Sequence, residues 1–207
     1  MIKISTSILA TTNREEAVTK LNQTNSDYLH IDVMDGKFVP NTQFTITEIN
    51  HLADLSQKPI DLHLMVEDPL LYINNLTSKN ISSVTIHIEI NQDIKNIINI
   101  IKKRSYKVCL AIKPKTNLEE LIPYTNTIDM ILVMSVEPGF GGQEFIPETI
   151  TRIQKLKTKY PSILIEVDGG IKDSNIKLIE PYTDIAVVGS YITKQNDYNE
   201  AINKLKN

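Results

Sequence analysis

The chain alternates between short apolar runs and longer stretches in which apolar residues recur every three or four positions. Short continuous runs, apolar on both faces, are typical of buried parallel strands. Eight such runs are present, at 3–9, 28–33, 60–66, 84–88, 107–112, 130–134, 163–167 and 185–188. The stretches between them have helical spacing, as Ile94, Ile97, Ile98 and Ile101 illustrate. The pattern predicts eight strands that alternate with eight helices.

Two of the predicted helices carry clear start signals. Asp68 followed by Pro69 places proline at a first helical position, where its missing N–H costs nothing. Thr116 with Glu119 has the spacing of a capping box, and Pro123 would end that helix. These signals support a regular change from strand to helix along the chain.

Strands that alternate with helices are typical of α/β proteins with a parallel sheet. Eight units fit a closed (β/α)8 barrel, the TIM barrel, and we expect one catalytic domain over residues 1–207. The smallest such barrels have about 200 residues, so the loops must be short. An open doubly wound sheet is the rival, but the turn after the first strand, Ser7 to Thr11, lacks the glycines of a dinucleotide-binding turn.

Composition excludes several classes of protein. The 22 basic and 25 acidic residues leave a net charge of −3 without a basic patch, so we expect no nucleic-acid partner. The single cysteine, Cys109, excludes a disulfide framework and predicts a buried structural thiol. No run approaches the ~18 apolar residues of a membrane span, and no leader pattern precedes the first strand. We therefore expect a cytoplasmic enzyme without a membrane partner.

Polar residues stand out at the ends of three predicted strands. His30 and Asp32 share one face of the second strand, and His63 lies on the third. Asp168 ends the seventh strand. A polar pair in an apolar strand is costly unless something binds it. Because barrel strands converge at their C-terminal ends, we expect these four residues to form one site.

Two imidazoles and two carboxylates form an N/O ligand set for one divalent metal ion. Zn²⁺ fits this set best, and Fe²⁺, Mn²⁺ and Co²⁺ also fit. His87 is expected to border the site without binding the metal, and His51 is expected at the surface. Three aspartates precede strands and are predicted to be turn residues at the opposite end: Asp27, Asp129 and Asp184.

Glycine-rich loops follow the sixth, seventh and eighth predicted strands. They contain Gly139, Phe140, Gly141 and Gly142, then Gly169 and Gly170, then Gly189 and Ser190. Glycines let backbone N–H groups approach an anion, and the last two loops are the usual phosphate position of a TIM barrel. The loops carry few basic residues, so we expect backbone groups to bind a phosphate without help from Lys or Arg. A metal beside a phosphate cradle predicts a small phosphorylated sugar, and the first loop could close as a lid.

Two long and specific segments stand out, HIDVMDGKFVPN at 30–41 and VMSVEPGFGG at 133–142. In these segments the chain resembles the ribulose-phosphate 3-epimerase family. Shorter segments match in family order across nearly the whole chain, at 7–9, 63–66, 111–114, 166–170 and 189–190. The family's usual residues around Thr6, Ala10–Thr12 and Thr42–Thr47 are replaced, which leaves the reaction class intact and fine substrate preference open.

The resemblance implies an isomerase with a TIM barrel of the ribulose-phosphate-binding type. It would interconvert D-ribulose 5-phosphate and D-xylulose 5-phosphate in the pentose phosphate pathway of carbohydrate metabolism, as a homo-oligomer. Residues matching the family's metal ligands are His30, Asp32, His63 and Asp168, of which Asp32 and Asp168 match the acid/base pair. Residues matching substrate contacts are Ser7, His63, Gly139, Phe140, Gly141, Gly142, Asp168, Gly169, Gly170, Gly189 and Ser190. Methionines matching those around the reacting carbon are Met34, Met65 and Met134.

The implied chemistry explains why two aspartates would be needed. Inversion at C3 removes a proton from one face of the sugar and returns one to the other, so one group cannot easily do both. One carboxyl must start ionised and the other protonated. A metal would stabilise the enediolate formed between the two transfers.

Three alternatives stay open. A 3-epimerase of a six-carbon ketose phosphate, such as D-allulose 6-phosphate, would share the same ligands. A Schiff-base aldolase would use Lys113, although we expect this lysine to be the internal partner of Glu166. A non-catalytic phosphosugar-binding barrel would bind without turnover.

Overall fold

A computed structural model describes all residues from Met1 to Asn207. It contains nine strands: β1 Lys3–Ser7, β2 Tyr28–Asp35, β3 Thr42–Gln43, β4 Ile60–Met65, β5 Ile81–His87, β6 Lys107–Ile112, β7 Met130–Met134, β8 Leu164–Asp168 and β9 Ile185–Val188. The eight longer strands match the eight predicted apolar runs. Only β3 was not predicted, and it pairs antiparallel with the end of β2.

The eight longer strands form a closed parallel barrel. Each pairs with its neighbour in chain order, and β9 pairs with β1, which pairs with β2. The predicted TIM barrel is therefore confirmed. The register places Asp32 of β2 beside His63 of β4, and Asp168 of β8 beside Met134 of β7. Closure and register together bring the ends of distant segments to one mouth.

Eight α-helices accompany the strands: α1 Arg14–Asn22, α2 Ile46–Leu55, α3 Pro69–Asn74, α4 Ile94–Lys103, α5 Glu148–Lys159, α6 Asp173–Ile179, α7 Ser190–Thr193 and α8 Tyr198–Lys206. Two 3-10 helices cover Leu118–Tyr124 and Glu180–Tyr182. Asp68 caps α3 as predicted, with Pro69 in its first turn.

The predicted helix between β6 and β7 is wrong in its type, in its cap and in the role of Pro123, which does not end it. It is a 3-10 helix, and Asn117 caps it by accepting the N–H of Glu119 at 3.1 Å. Thr116 instead donates its hydroxyl to Glu89. Pro123 lies within this segment, where its missing N–H excludes a regular α-helical hydrogen bond.

Each barrel strand buries both faces. Outward residues such as Leu29, Ile31 and Val33 belong to the large core cluster that includes the inward faces of the helices. On β6, β7 and β9 the alternate residues form a second, smaller apolar cluster that includes Cys109 and Met130. Cys109 is buried, as predicted. Alternate positions on β2, β4 and β8 are polar instead, and they build the site.

No helix is both long and apolar enough to span a membrane.

Candidate active site

The four predicted metal ligands lie together at the C-terminal mouth of the barrel. Their ligand atoms are all within 4.8 Å of one another. His30 Nε2 and His63 Nδ1 each lie 3.2 Å from Asp32 Oδ1, and His63 Nδ1 lies 3.6 Å from Asp168 Oδ2. Asp32 therefore stands between the two imidazoles, and Asp168 approaches from the opposite side of the barrel.

This cluster fits a divalent metal ion on its own geometry. Both imidazoles are fully buried, and the side chains of Asp32 and Asp168 are only 5% and 15% exposed. His30 Nε2 is buried without a hydrogen-bond partner, although it points at the carboxylate of Asp32. A buried nitrogen without a partner is costly, and a shared cation would satisfy it together with both carboxylates. The site can hold a metal.

His30 is held from behind by a residue that the sequence did not single out. Its Nδ1 lies 2.8 Å from Asp61 Oδ2, deep in the barrel. Ser5 and Ser83 also donate their hydroxyls to Asp61, each at 2.9 Å. With Nδ1 donating to this carboxylate, His30 presents Nε2 towards Asp32. A carboxylate behind a ligating imidazole is a common arrangement in metal sites.

His63 is held by a different group. Its Nε2 lies 2.9 Å from His87 Nε2, and His87 Nδ1 lies 3.0 Å from Glu89 Oε2. The expectation that His87 borders the site is confirmed. Both of its ring nitrogens are already engaged. The expected surface position of His51 is also confirmed, because its side chain is 57% exposed and contacts Glu15.

The two candidate acid/base residues have opposite pKa shifts. Burial alone would raise the pKa of Asp32, but the imidazoles of His30 and His63 lower it far below its ordinary value. Ser7 also donates its hydroxyl to Asp32 at 2.6 Å. Burial raises the pKa of Asp168, and the charge of Asp32 adds to this rise against the hydrogen bond to His63. Asp168 therefore holds a proton more readily than Asp32 does.

A second buried carboxyl, Glu166, lies beneath the site. Its side chain is fully buried, and burial together with the charge of Asp61 raises its pKa well above the usual range. The expected pairing of Lys113 with Glu166 is wrong. The Lys113 ammonium lies 4.0 Å from the centroid of the Phe38 ring. Both carboxyl oxygens of Glu166 are buried without a hydrogen-bond partner.

A cavity of about 720 Å³ opens above the cluster. Asp32 and Asp168 line it, together with Met34, Met65 and Met134. The other predicted substrate contacts, apart from His63, also line it: Ser7, Gly139, Phe140, Gly141, Gly142, Gly169, Gly170, Gly189 and Ser190. His30 and His63 are fully buried. The volume suits a small ligand, since such sites usually measure about 300–1,000 Å³.

Two glycines are required for the packing of these loops. Gly170 has φ +64°, and a Cβ there would lie 2.8 Å from the Cα of Phe145 in the preceding βα loop. A Cβ on Gly169, at φ +123°, would lie 2.5 Å from Val136 Cγ2. The glycines therefore let two loops pack closely above the barrel, in addition to any role in binding an anion.

Two basic residues at the mouth were not anticipated. Both line the cavity: Lys172 lies in the loop that follows β8, and Lys194 directly follows α7. The sequence-based expectation that no lysine is needed near the phosphate loops therefore understated the positive charge available there. Spacing alone did not show it, because both lysines come after the glycine motifs and turn back towards the cavity only in the folded loops.

Comparison with known sequences decides the family. The family model described as "Ribulose-phosphate 3 epimerase family" matches residues 3–193. The chain belongs to the ribulose-phosphate 3-epimerase family. The ribulose-phosphate 3-epimerase of Helicobacter pylori is 34% identical over 211 residues, which cover 100% of this chain and 97% of that protein. The enzyme of that name from Aquifex aeolicus is 38% identical over 186 residues, covering 87% and 84%. The predicted family and enzyme class are confirmed.

Solved structures support the fold of this epimerase family member. KGPDC from Streptococcus mutans has a TM-score of 0.74 at 14% identity, covering 100% of this chain and 96% of that one. The 3-hexulose-6-phosphate synthase of Salmonella typhimurium has a TM-score of 0.70 at 18% identity, covering 99% and 96%. At these identities the likeness extends to the barrel and no further.

Proposed function

We propose that this protein is a metal-dependent epimerase that interconverts D-ribulose 5-phosphate and D-xylulose 5-phosphate through an enediolate. One observation carries the proposal: Asp32 and Asp168 face the same cavity beside one imidazole, yet their pKa values are shifted in opposite directions. Two carboxyls in different protonation states are what a proton removal and a proton return require.

The metal would be held by His30 through Nε2, by His63 through Nδ1, and by the carboxylates of Asp32 and Asp168. We propose Zn²⁺, and Fe²⁺, Mn²⁺ and Co²⁺ suit the same donors. When bound, the ion supplies a positive charge that favours negative charge on the sugar oxygens next to the reacting carbon. The partnerless His30 Nε2 is the observation in the protein that fits this assignment.

The protein's own groups would move the protons. Asp32, with its low pKa, starts as the carboxylate that can accept a proton from C3. Asp168, with its raised pKa, starts as the acid that can return one to the opposite face. After one turnover the protonation states are exchanged, so the reverse reaction uses the same pair. Met34, Met65 and Met134 would wall the reacting carbon with groups that do not titrate and that exclude water.

The phosphate would bind in the loops after β8 and β9. Gly169, Gly170, Gly189 and Ser190 line the cavity at the usual phosphate position of this fold. Lys172 and Lys194 border the same region and add positive charge. The loop with Gly139, Phe140, Gly141 and Gly142 would cover the sugar, since it lines the cavity and Phe140 is 57% exposed.

The alternatives differ in how well they fit this site. A six-carbon ketose phosphate epimerase would use every group above and would differ in the space for one more carbon. A Schiff-base aldolase needs Lys113 in the cavity, but Lys113 does not line it and its ammonium stacks on Phe38. A binding protein without turnover gives no reason for the opposite pKa shifts.

A direct assay tests the proposal. Purified protein, stripped with a chelator and then given Zn²⁺, Fe²⁺, Mn²⁺ or Co²⁺, would be offered D-ribulose 5-phosphate and D-allulose 6-phosphate separately. We expect faster turnover of the pentulose, loss of activity on stripping and recovery with a divalent ion. Turnover of neither sugar would refute the epimerase. Preference for allulose 6-phosphate would establish the six-carbon alternative, and borohydride trapping at Lys113 would establish the aldolase.

Location in the cytoplasm and assembly as a homo-oligomer stay predictions. Light scattering on the purified protein measures its oligomeric state directly.

A further inference from the structure

The least expected feature of the site is the contact between two imidazoles. His63 Nε2 and His87 Nε2 lie 2.9 Å apart, and both side chains are fully buried. The rings are stacked, with centroids 5.1 Å apart. Two nitrogens at this distance form a hydrogen bond only if one carries a proton and the other offers a lone pair. The position of that proton determines which nitrogen of His63 faces the proposed metal.

The next contact settles the direction of this hydrogen bond. His87 Nδ1 lies 3.0 Å from Glu89 Oε2. Glu89 Oε1 accepts the backbone N–H of Lys113 at 2.7 Å and the hydroxyl of Thr116. Burial alone would raise the pKa of Glu89, but its hydrogen bonds to His87, Lys113 and Thr116 lower it to about 2, so Oε2 is an acceptor as well. His87 Nδ1 must therefore be the donor. With Nδ1 as the donor, the uncharged His87 ring has its lone pair on Nε2, which is what the Nε2–H of a metal-binding His63 requires 2.9 Å away.

It follows that His63 donates from Nε2 to His87. A neutral His63 with its proton on Nε2 has its lone pair on Nδ1, the atom that faces Asp32 and Asp168. Without His87 as an acceptor, the buried Nε2–H would have no partner, and the ring would lose both its preferred tautomer and its orientation.

His87 is itself held in place by its neighbours. The ring of Phe38, in the loop after β2, lies 4.8 Å from His87, and the Lys113 ammonium lies 4.0 Å from the Phe38 centroid. The position of Glu89 is set by the backbone of Lys113 and by Thr116, just after β6. His87 is thus enclosed by groups on three segments of the chain.

We propose that His87 and Glu89 are positioning residues that fix His63 with Nε2 as a donor, so that Nδ1 is free to bind a divalent metal ion. The inference rests on the proposed metal site and extends it, since neither residue touches the metal ligand atoms of the cluster directly. His30 is supported differently, by a carboxylate alone. The two ligating imidazoles therefore rely on separate supports that can be tested one at a time.

The test measures metal binding rather than activity. Metal-free wild-type protein and the His87→Phe variant would be titrated with Zn²⁺ against a competing chelator. Phenylalanine keeps the aromatic packing against Phe38 and removes the acceptor. We expect zinc affinity to fall about 10- to 100-fold, the usual effect of removing such a support. His87→Gln, which can place an amide oxygen near His63, is expected to recover much of the affinity.

A matched control and a direct readout separate positioning from damage to the fold. His51→Phe removes another histidine that contacts a carboxylate, at 2.8 Å, but on the exposed face of α2, and its zinc affinity is expected to equal that of the wild type. In the zinc-loaded protein, nitrogen NMR of the histidine rings should show the His63 proton on Nε2.

The outcomes are distinct. Wild-type protein that binds none of Zn²⁺, Fe²⁺, Mn²⁺ and Co²⁺ in the same titration would remove the metal site and the proposed function with it. Wild-type protein that binds zinc while His87→Phe binds it equally tightly would overturn the positioning role alone. A His63 proton on Nδ1 in the zinc-loaded protein would overturn it too. Equal thermal unfolding of the metal-free proteins shows that any loss of affinity is local.

Discussion

Aspartates at the two ends of the barrel meet very different surroundings. At the floor, Asp27, Asp129 and Asp184 each precede a strand and accept a backbone N–H from the preceding barrel strand, at 2.8, 2.8 and 2.7 Å. At the mouth, Asp32 and Asp168 face imidazoles in a buried cavity. The same side chain completes a sheet at one end and builds a candidate catalytic site at the other.

The two groups of aspartates differ in burial and in the donors around each carboxylate. Floor aspartates are partly open to water, and Asp27 and Asp184 also contact Lys206 and Lys157. Their oxygens are satisfied by fixed donors. At the mouth, burial and shared imidazoles shift the pKa values of Asp32 and Asp168 in opposite directions. A carboxyl is useful for proton transfer only where its environment leaves a proton to exchange.

The largest expected effect comes from replacing the two aspartates at the mouth by asparagine. Asp32→Asn and Asp168→Asn keep the side-chain shape but cannot exchange a proton with the sugar, so we expect turnover to fall by about 10³-fold or more. Steady-state kinetics on metal-loaded protein would measure the loss, and circular dichroism would confirm the fold. Asp184→Asn at the floor is the matched control, with turnover unchanged. Near-normal turnover in either mouth variant would disprove the two-base mechanism.

Removing a floor acceptor should affect stability and spare catalysis. Asp184→Ala leaves the Ile165 N–H without its partner and breaks the 2.7 Å contact with Lys157. We expect the free energy of unfolding to fall by about 2 kcal/mol, measured by urea denaturation, with kcat unchanged. Asp184→Asn retains an acceptor and should lose less than about 1 kcal/mol. A large loss of turnover in the alanine variant would show that the two ends are coupled.

The smallest predicted effect is a pH dependence of the metal-free protein. Although burial opposes protonation, the neighbouring aspartates raise the pKa of both His30 and His63 above 6.5. A group with a raised pKa in the folded state stabilises the protein below its unfolded pKa, and this stabilisation is lost as pH rises through the folded value. The free energy of unfolding of the stripped protein should therefore fall above pH 6.5, by at most about 1.4 kcal/mol per pH unit for each proton.

Metal should reverse that trend. Binding requires deprotonated imidazoles, so apparent zinc affinity, and with it the stability of the loaded protein, should rise over the same pH range. Urea denaturation from pH 6 to 9, with and without zinc, measures both slopes. Parallel curves would show that the mouth does not bind zinc through these histidines.

Much of the site could be predicted because strand alternation is a local property. His30 with Asp32, and His63 with Met65, share a face wherever their strands are placed. Strand limits were less secure. The fourth predicted strand was placed at 84–88, but β5 begins at Ile81. The polar Ser83 concealed this start, since the sequence does not show that Ser83 is buried and donates its hydroxyl to Asp61.

By itself, the sequence determined the eight-fold alternation, the four candidate ligands and the glycine loops, since each depends on spacing along one segment. Only the tertiary structure decided which residues hold the two imidazoles in place. Asp61 behind His30, and His87 with Glu89 behind His63, depend on the register between strands and on barrel closure. Lys113 turned to Phe38 instead of Glu166 for the same reason. Contacts between segments follow from how the barrel closes, and no local pattern records that geometry.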